Sequence, residues 1–402
     1  MSNINTVTIE QQLHQQSKTL LEGQEHYYRV FQAKASPYSH KLMTYMNHKG
    51  IPYKKIWASM LELEWVKKVA GQSIVPIMLS PNDDIMQDST PIIEYLEEKY
   101  PAVSTIPEDN KLAFIMWLIE DFGDEYLPRL QMHTRWGNEQ NRHTLSHRIA
   151  REILRAIPNM QVKDLAPVIL NRQTGFDKNL GLVGEESRHN LDQQVLNLLA
   201  ILEQHFQDYQ FVLGFKPSIA DFALYGPIKV HFYEDPQSNE IMETQAPRTC
   251  NWLQTIKDLG DIRGCAGQTE FGDWLDLSQG LPDSLEKLLN FIAKTYIPLC
   301  KATAKASIKK EKTFNATIYG VSSTFTTHHY RAWAFEQLQL RYQTLNDDDK
   351  SALSPILTST EILPELINDG IIHIDLFDDF TPPFIKDGIP DARIRYIKSK
   401  KK

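Results

Sequence analysis

The chain has 402 residues, 42% of them hydrophobic and 10% aromatic, which supplies apolar material for two or three globular cores and excludes a largely disordered protein. A formal net charge of −8 excludes a broadly basic surface of the kind that follows nucleic-acid phosphates. No apolar run approaches the ~20 residues that cross a bilayer, so neither a membrane nor a nucleic-acid partner is expected.

Met1–Glu25 is a polar, glutamine-rich leader without the apolar core of a signal peptide. Three cysteines, Cys250, Cys265 and Cys300, are far apart and form neither a Cys-x-x-Cys pair nor a zinc spacing. Sparse, unpaired thiols fit a reducing compartment, and a cytoplasmic location is expected. The basic tail Arg393–Lys402 reads as a solubilising terminus.

Tyr27–Gln32 (YYRVFQ) is rich in strand formers. Ser36-Pro37 follows as an N-cap with proline at the first helical position, and the helix runs through Leu42, Met43 and Met46 to Gly50. Ile51–Trp57 reads as a second strand and Leu61–Ala70 as a short helix. Val75–Leu79 and Ile85–Gln87 flank the turn-forming cluster Ser80–Asp84, which predicts an antiparallel hairpin. Thr90–Tyr100 returns to a helical pattern. The order β-α-β-α-β-β-α is that of a compact α/β unit.

Beyond Pro107 the pattern is helical. Leu112, Ile115, Met116, Ile119, Phe122 and Tyr126 form one stripe, which predicts a single helix over Lys111–Trp136. Leu145–Ile157, Asn190–Phe206, Ile219–His231 and Cys250–Leu259 continue the series, with Gly175–Glu186 and Tyr233–Gln245 as loops. From about Phe271 the character changes again. Leu285–Ala306 and Arg331–Tyr342 read as helices, Lys312–Tyr319 as a strand, and Leu376–Pro390 as an acidic, proline-containing stretch. The expected division is a leader at 1–25, an α/β domain at 26–104, an all-helical domain at 105–265 and an α+β extension at 266–402.

Three constellations bear on chemistry. At Ser36–Ser39 a hydroxyl sits at a helix start, where unpaired N–H groups and the positive end of the macrodipole stabilise an anion and a hydroxyl can donate to a bound thiolate. At Val75-Pro76 a proline within an apolar run marks an edge or a cis turn, leaving backbone groups for an extended peptide ligand. At Asp88-Ser89, directly before a helix, a carboxylate and a hydroxyl can together meet a group carrying both an ammonium and a carboxylate, such as a γ-glutamyl moiety. Taken singly, each is an ordinary cap or edge strand. His328-His329 has no carboxylate or cysteine partner at ligand spacing and reads as a solvated loop, so no metal is expected.

Taken together, SPYSHKLMTYMNHKGIPY, VPIML and QDSTPIIEYLEEKYP resemble the N-terminal domain of the glutathione S-transferase superfamily. FVLGFKPSIADFAL at Phe211–Leu224 is similar to the family's helix-capping segment, with Ser218 and Asp221 as a Ser-x-x-Asp cap. The resemblance covers about residues 27–260. It implies an α/β thioredoxin-like N-terminal domain, an all-α C-terminal domain and, here, an additional α+β extension. It implies glutathione as co-substrate, with Ser36 stabilising its thiolate, the Val75 backbone beside cis-Pro76 pairing with its cysteinyl part, and Asp88 and Ser89 holding the γ-glutamyl end. Ser39 is an alternative hydroxyl, and Tyr38 has no chemical role. A hydrophobic electrophile is the implied second substrate, in a pocket between the domains near the first long helix, with Phe122, Tyr126, His133 and Trp136 as candidate walls. A homodimer is also implied. Cysteine-type members carry Cys where this chain has Ser36, so mixed-disulfide chemistry at that position is disfavoured. The expected activity is glutathione transfer. The alternatives are a non-catalytic interaction protein, favoured by the long extension, and a glutathione-dependent isomerase or lyase.

Overall fold

The computed structural model describes residues 27–70, 73–157, 159–259, 271–367, 370–374 and 384–385. The polar leader, Cys265 and the basic tail lie outside the described residues, as does most of Leu376–Pro390. Two compact units are present: residues 1–101, 146–169 and 377–402 form one, and residues 102–145 and 170–376 form the other.

The first unit is built on a sheet of β1 (Tyr28–Gln32), β2 (Tyr53–Trp57), β3 (Ile77–Leu79), β4 (Ile85–Gln87) and β7 (Phe384–Ile385), in the order β2-β1-β3-β4-β7. β1 runs parallel to β2, while β3, β4 and β7 each run antiparallel to their preceding neighbour in that order. Between the strands lie α1 (Pro37–His48), α2 (Met60–Ala70) and α3 (Ser89–Lys99), so the α/β order predicted from the sequence is the one observed. β1 has partners on both sides and is buried at all five residues, as expected of a strand covered on both faces. β2, at the edge of the sheet, buries only Ile56 and exposes Lys54 and Lys55.

On one face Phe31, Ile56, Val66, Val69, Ile77 and Leu79 form a core, with Phe31 stacked on Trp65 at 4.6 Å between ring centroids. α1 and α3 bury Leu42, Met43, Tyr45, Met46, Ile92, Ile93 and Leu96. Their packing encloses a polar triad: the Tyr45 hydroxyl donates to Glu97 Oε1 at 2.8 Å and Lys49 Nζ lies 3.0 Å from the same oxygen. Buried polar groups are tolerable only when satisfied in this way. The fully buried Arg29 donates to the Ser80 carbonyl and pairs with Asp83, fastening the β3–β4 turn to the central strand.

The second unit is mainly helical: α4 (Asn110–Glu125), α5 (Leu127–Gly137), α8 (Glu185–Asp208), α9 (Ile219–Pro227), α10 (Pro236–Gln245), α11 (Pro247–Asp258), α12 (Asp283–Ile308), α13 (His329–Thr344), α14 (Asp347–Ser359) and α15 (Ile362–Ile367). α6 (Glu139–Ile153) and α7 (Val162–Thr174) cross from one unit's residues to the other's. Every residue of α4 from Phe114 onward is buried, which marks a helix covered all round. Gly123 permits this, since a Cβ there would come within 3.1 Å of the Ala223 backbone in α9.

The expected cap is present. Asp221 accepts from Val212 N at 2.9 Å, Ser218 N at 2.9 Å, Ser218 Oγ at 3.0 Å and Trp252 Nε1 at 3.1 Å. Described residues from Phe271 to Ile374 fall in this unit and supply α12–α15 with the hairpin of β5 (Thr313–Ile318) and β6 (Val321–Thr326), an α+β region.

Some elements differ from the sequence reading. The single helix expected over Lys111–Trp136 is two, separated at Tyr126, with Pro128 in the first turn of the second. Tyr233–Gln245 is not a loop: a π-turn at Ile228–Tyr233 leads into α10, which buries only Ser238 and Met242 and so leaves almost no apolar stripe to read. His328 and His329 begin α13 rather than lying in a loop, and His329 hydrogen-bonds Ser307.

Candidate functional site

Ala33–Ser36 is a tight turn closed by Ser36 N donating to the Ala33 carbonyl at 3.1 Å. It delivers Ser36 to the N-cap of α1 in an extended conformation (φ −95°, ψ 115°), with Pro37 in the first turn and no acidic residue there. The half-buried Ser36 hydroxyl does two things. Its oxygen accepts from Ser39 N at 3.2 Å, and its proton points to the Val75 carbonyl oxygen 3.2 Å away. Two residues 39 positions apart therefore meet at the helix start. The Val75–Pro76 peptide is cis, and Pro76 is buried just before β3. The Ser39 side chain is fully buried, so of the two serines only Ser36 has access to solvent.

Asp88 and Ser89 begin α3. Asp88 has φ +79°, a backbone conformation unusual outside glycine, and its side chain makes no capping hydrogen bond to its own helix. Ser89 is buried and Asp88 half-buried. The first turns of α1 and α3 are tied together by Lys41, fully buried, whose Nζ donates to Thr90 Oγ1 at 2.9 Å. Sequence reasoning passed over Lys41. The available signal was a lysine four residues before the buried Tyr45, on the stripe that faces inward. α1 has a serine cap and no acidic residue in its first turn, so the positive end of its dipole is uncompensated by a carboxylate on the helix itself, whereas α3 carries Asp88 at its N-cap.

The aromatic candidates on the first long helical stripe are core residues. Phe122 and Tyr126 are fully buried and stacked at 5.7 Å. Phe291 and Tyr296 of α12 meet Phe122 edge-on at 6.0 and 6.4 Å. Tyr296 also donates to Asp121, whose carboxyl is pushed well above the usual range by burial and then by the neighbouring Glu125 and Glu120. Trp136 is buried, and His133 pairs with Asp192 at 2.7 Å. Cys250 and Cys300 are buried and unpaired, and burial raises both thiols. Among the described residues no cluster of His, Cys, Asp or Glu is arranged to hold a metal ion, and no helix is long and apolar enough to cross a membrane.

A thioredoxin-like unit with a serine-capped helix start, joined in sequence to an all-helical domain, defines a class of protein, and comparison with known families agrees. Residues 35–99 match the glutathione S-transferase N-terminal domain, and residues 168–259 match the glutathione S-transferase C-terminal domain. The chain thus carries, in order, stretches that match both domains of the glutathione S-transferase superfamily. Over 125 residues it is 22% identical to glutathione S-transferase omega-1 of Sus scrofa, a match that takes in 31% of this chain and about half, 52%, of that relative. Among solved structures, it is similar to a β-etherase from Sphingobium sp. strain SYK-6, at 18% identity and a TM-score of 0.43, covering 58% of this chain and 98% of that one. A glutathione transferase from Phanerochaete chrysosporium is similar at 16% identity and a TM-score of 0.41, covering 58% and 97%.

Proposed function

We propose that the chain is a glutathione transferase that binds glutathione in its first unit and holds the thiol as a thiolate for attack on a hydrophobic electrophile. The observation that carries this reading is the Ser36 hydroxyl, at the N-cap of α1 and 3.2 Å from the Val75 carbonyl oxygen.

By accepting from Ser39 N, the Ser36 oxygen is polarised and its proton becomes a better donor. Rotation about the Cβ–Oγ bond swings that proton from the Val75 carbonyl to a sulfur beside the helix start while the oxygen keeps its bond from Ser39 N. The hydrogen bond and the helix dipole both favour the charged sulfur, lowering the thiol pKa and raising the thiolate fraction at neutral pH. The backbone at Val75 and Pro76 takes the cysteinyl part of the tripeptide. Asp88 meets the γ-glutamyl ammonium, while Ser89 and the first N–H groups of α3 meet its carboxylate. The φ of +79° at Asp88 costs about 1–3 kcal/mol and leaves its carboxylate turned away from capping, the kind of local strain that accompanies ligand contacts.

The test is Ser36→Ala. Conjugation to a model aryl halide is expected to fall about 100-fold, while calorimetric binding of glutathione stays within about threefold of the parent, roughly 0.6 kcal/mol. Turnover equal to the parent protein's would remove Ser36 from the chemistry. Absence of binding at millimolar glutathione would remove glutathione itself.

A further inference from the structure

The turn that delivers Ser36 is fastened at its inner residue. The Lys34 peptide is engaged on both sides by side chains: its N–H donates to Glu152 Oε1 at 2.8 Å, and its carbonyl oxygen lies 3.1 Å from His40 Nε2. His40 belongs to α1, but Glu152 lies 118 positions away, at the end of α6. Residue 152 falls between the two stretches that match the family, 35–99 and 168–259.

The surroundings make this more than a passing surface contact. One turn beyond Glu152, Arg155 stacks on the Trp57 ring with Cζ 4.5 Å from its centroid, and Lys34 Nζ lies 5.3 Å from the same ring. Trp57 ends β2, so a carboxylate, two cations and an indole join the β1–α1 turn, the end of β2 and the end of α6. All of these residues belong to the first unit. Partial burial raises the Glu152 carboxyl, opposed by the Lys34 N–H and by the charges of Arg155 and Lys34.

We propose that Glu152 is a positioning residue for Ser36: through the Lys34 peptide it fixes the turn that sets the Ser36 hydroxyl at the helix start. The catalytic part of this inference rests on the role proposed above for Ser36, whereas the latch itself does not. Without Glu152 the turn keeps its Ser36 N to Ala33 O bond and the His40 contact within its own segment, but loses its tie to α6 and samples several conformations. Each displaces the hydroxyl by a fraction of an ångström or more, and such a displacement is costly for a group that acts by directed hydrogen bonding. Glu152 narrows that distribution from outside the matched N-terminal domain.

The experiment compares Glu152→Ala, Glu152→Gln and the parent chain, all full length. Amide exchange over Ala33–Ser36, read by mass spectrometry without ligand, is expected to accelerate about tenfold in Glu152→Ala and to remain near the parent in Glu152→Gln, which keeps a side-chain oxygen acceptor. In transferase assays Glu152→Ala is expected to lower kcat about tenfold with less than a twofold change in KM for glutathione, and to move the acid limb of kcat/KM upward by about one pH unit. Glu152→Gln is expected to restore both. Unchanged exchange in Glu152→Ala overturns the latch. Faster exchange with kcat unchanged overturns the positioning role. If the parent fails to bind glutathione in calorimetry, the functional reading falls on that result alone, and the exchange comparison still decides the latch.

Discussion

Replacing Asp221 with alanine tests whether the cap that joins α9 to its surroundings is as structurally expensive as its geometry implies. The carboxylate is fully buried and accepts from four donors: Val212 N, Ser218 N, Ser218 Oγ and Trp252 Nε1. Truncation leaves these donors without their acceptor, at about 1–3 kcal/mol for each group that stays buried. Partial relaxation reduces the total, and about 4 kcal/mol is expected. With a urea slope of about 3 kcal/mol per molar, the unfolding midpoint drops by about 1.3 M. The pH dependence gives a second reading of the same site. Burial pushes the Asp221 carboxyl up from 3.8 to about 6 despite its four donors. The folded state therefore holds this proton more tightly than the unfolded chain does. The resulting stability is fully present below pH 3.8 and is lost as pH rises through 6. Its full size is about 3 kcal/mol. The gap between parent and Asp221→Ala should thus widen as pH is lowered from 7 toward 4, followed by circular dichroism in urea. A midpoint shift below about 0.3 M with an unchanged slope, or a gap that narrows on acidification, would refute the reasoning.

Two further outcomes are expected. His205 is buried, with Nε2 donating to the Phe211 carbonyl and Nδ1 available to accept from Ser284 Oγ at 2.9 Å, and burial lowers its pKa from 6.5. The folded state prefers the neutral ring, so its contribution is intact above pH 6.5 and declines as pH falls below it. Thermal melts from pH 7.5 to 5 should show a steeper loss in the parent than in His205→Gln. Gly123→Val places a Cβ about 3.1 Å from the Ala223 backbone, where a buried helix cannot give way, and should lower the melting temperature by about 5 °C in scanning calorimetry.

The first unit was legible because its signals are local. Ser36-Pro37 announces a helix start, Ser80–Asp84 a hairpin, and the alternation of short strands with short helices an α/β sheet. The helical unit was less so. The apolar period of α4 carries straight through Tyr126, and only Pro128 marks the second helix. α10 has no stripe to betray it. β6 reads as Val-Ser-Ser-Thr-Phe-Thr, with only Phe325 buried, stacked on Phe314 at 5.6 Å, and its turn is none of the usual asparagine–glycine pairs. Within the candidate site, Ser36, Val75, Asp88 and Ser89 could be picked out because each sits beside a cap or a proline. Glu152 could not, because it lies on a polar helix whose sequence carries no motif and its partner is a backbone group far away in the chain.

The β5–β6 turn has a practical consequence. Hairpin tips are the usual places to add a tag or a label, since they tend to be exposed and make few contacts. Here Tyr319 and Gly320 both have positive φ, and Ile318 pairs directly with Val321 across a two-residue turn. Tyrosine is a poor occupant of that conformation, yet its N–H donates to the Lys294 carbonyl, and its carbonyl and hydroxyl accept from Asn190 and Asn197 on α8. The tip is an anchor point, and an inserted sequence there would pull a strand end off two helices. Gly280 has open space around it, but its φ of +93° suits glycine and not a labelled side chain, so the exposed Gln279 beside it is the place in this region to put a fluorophore or an affinity handle.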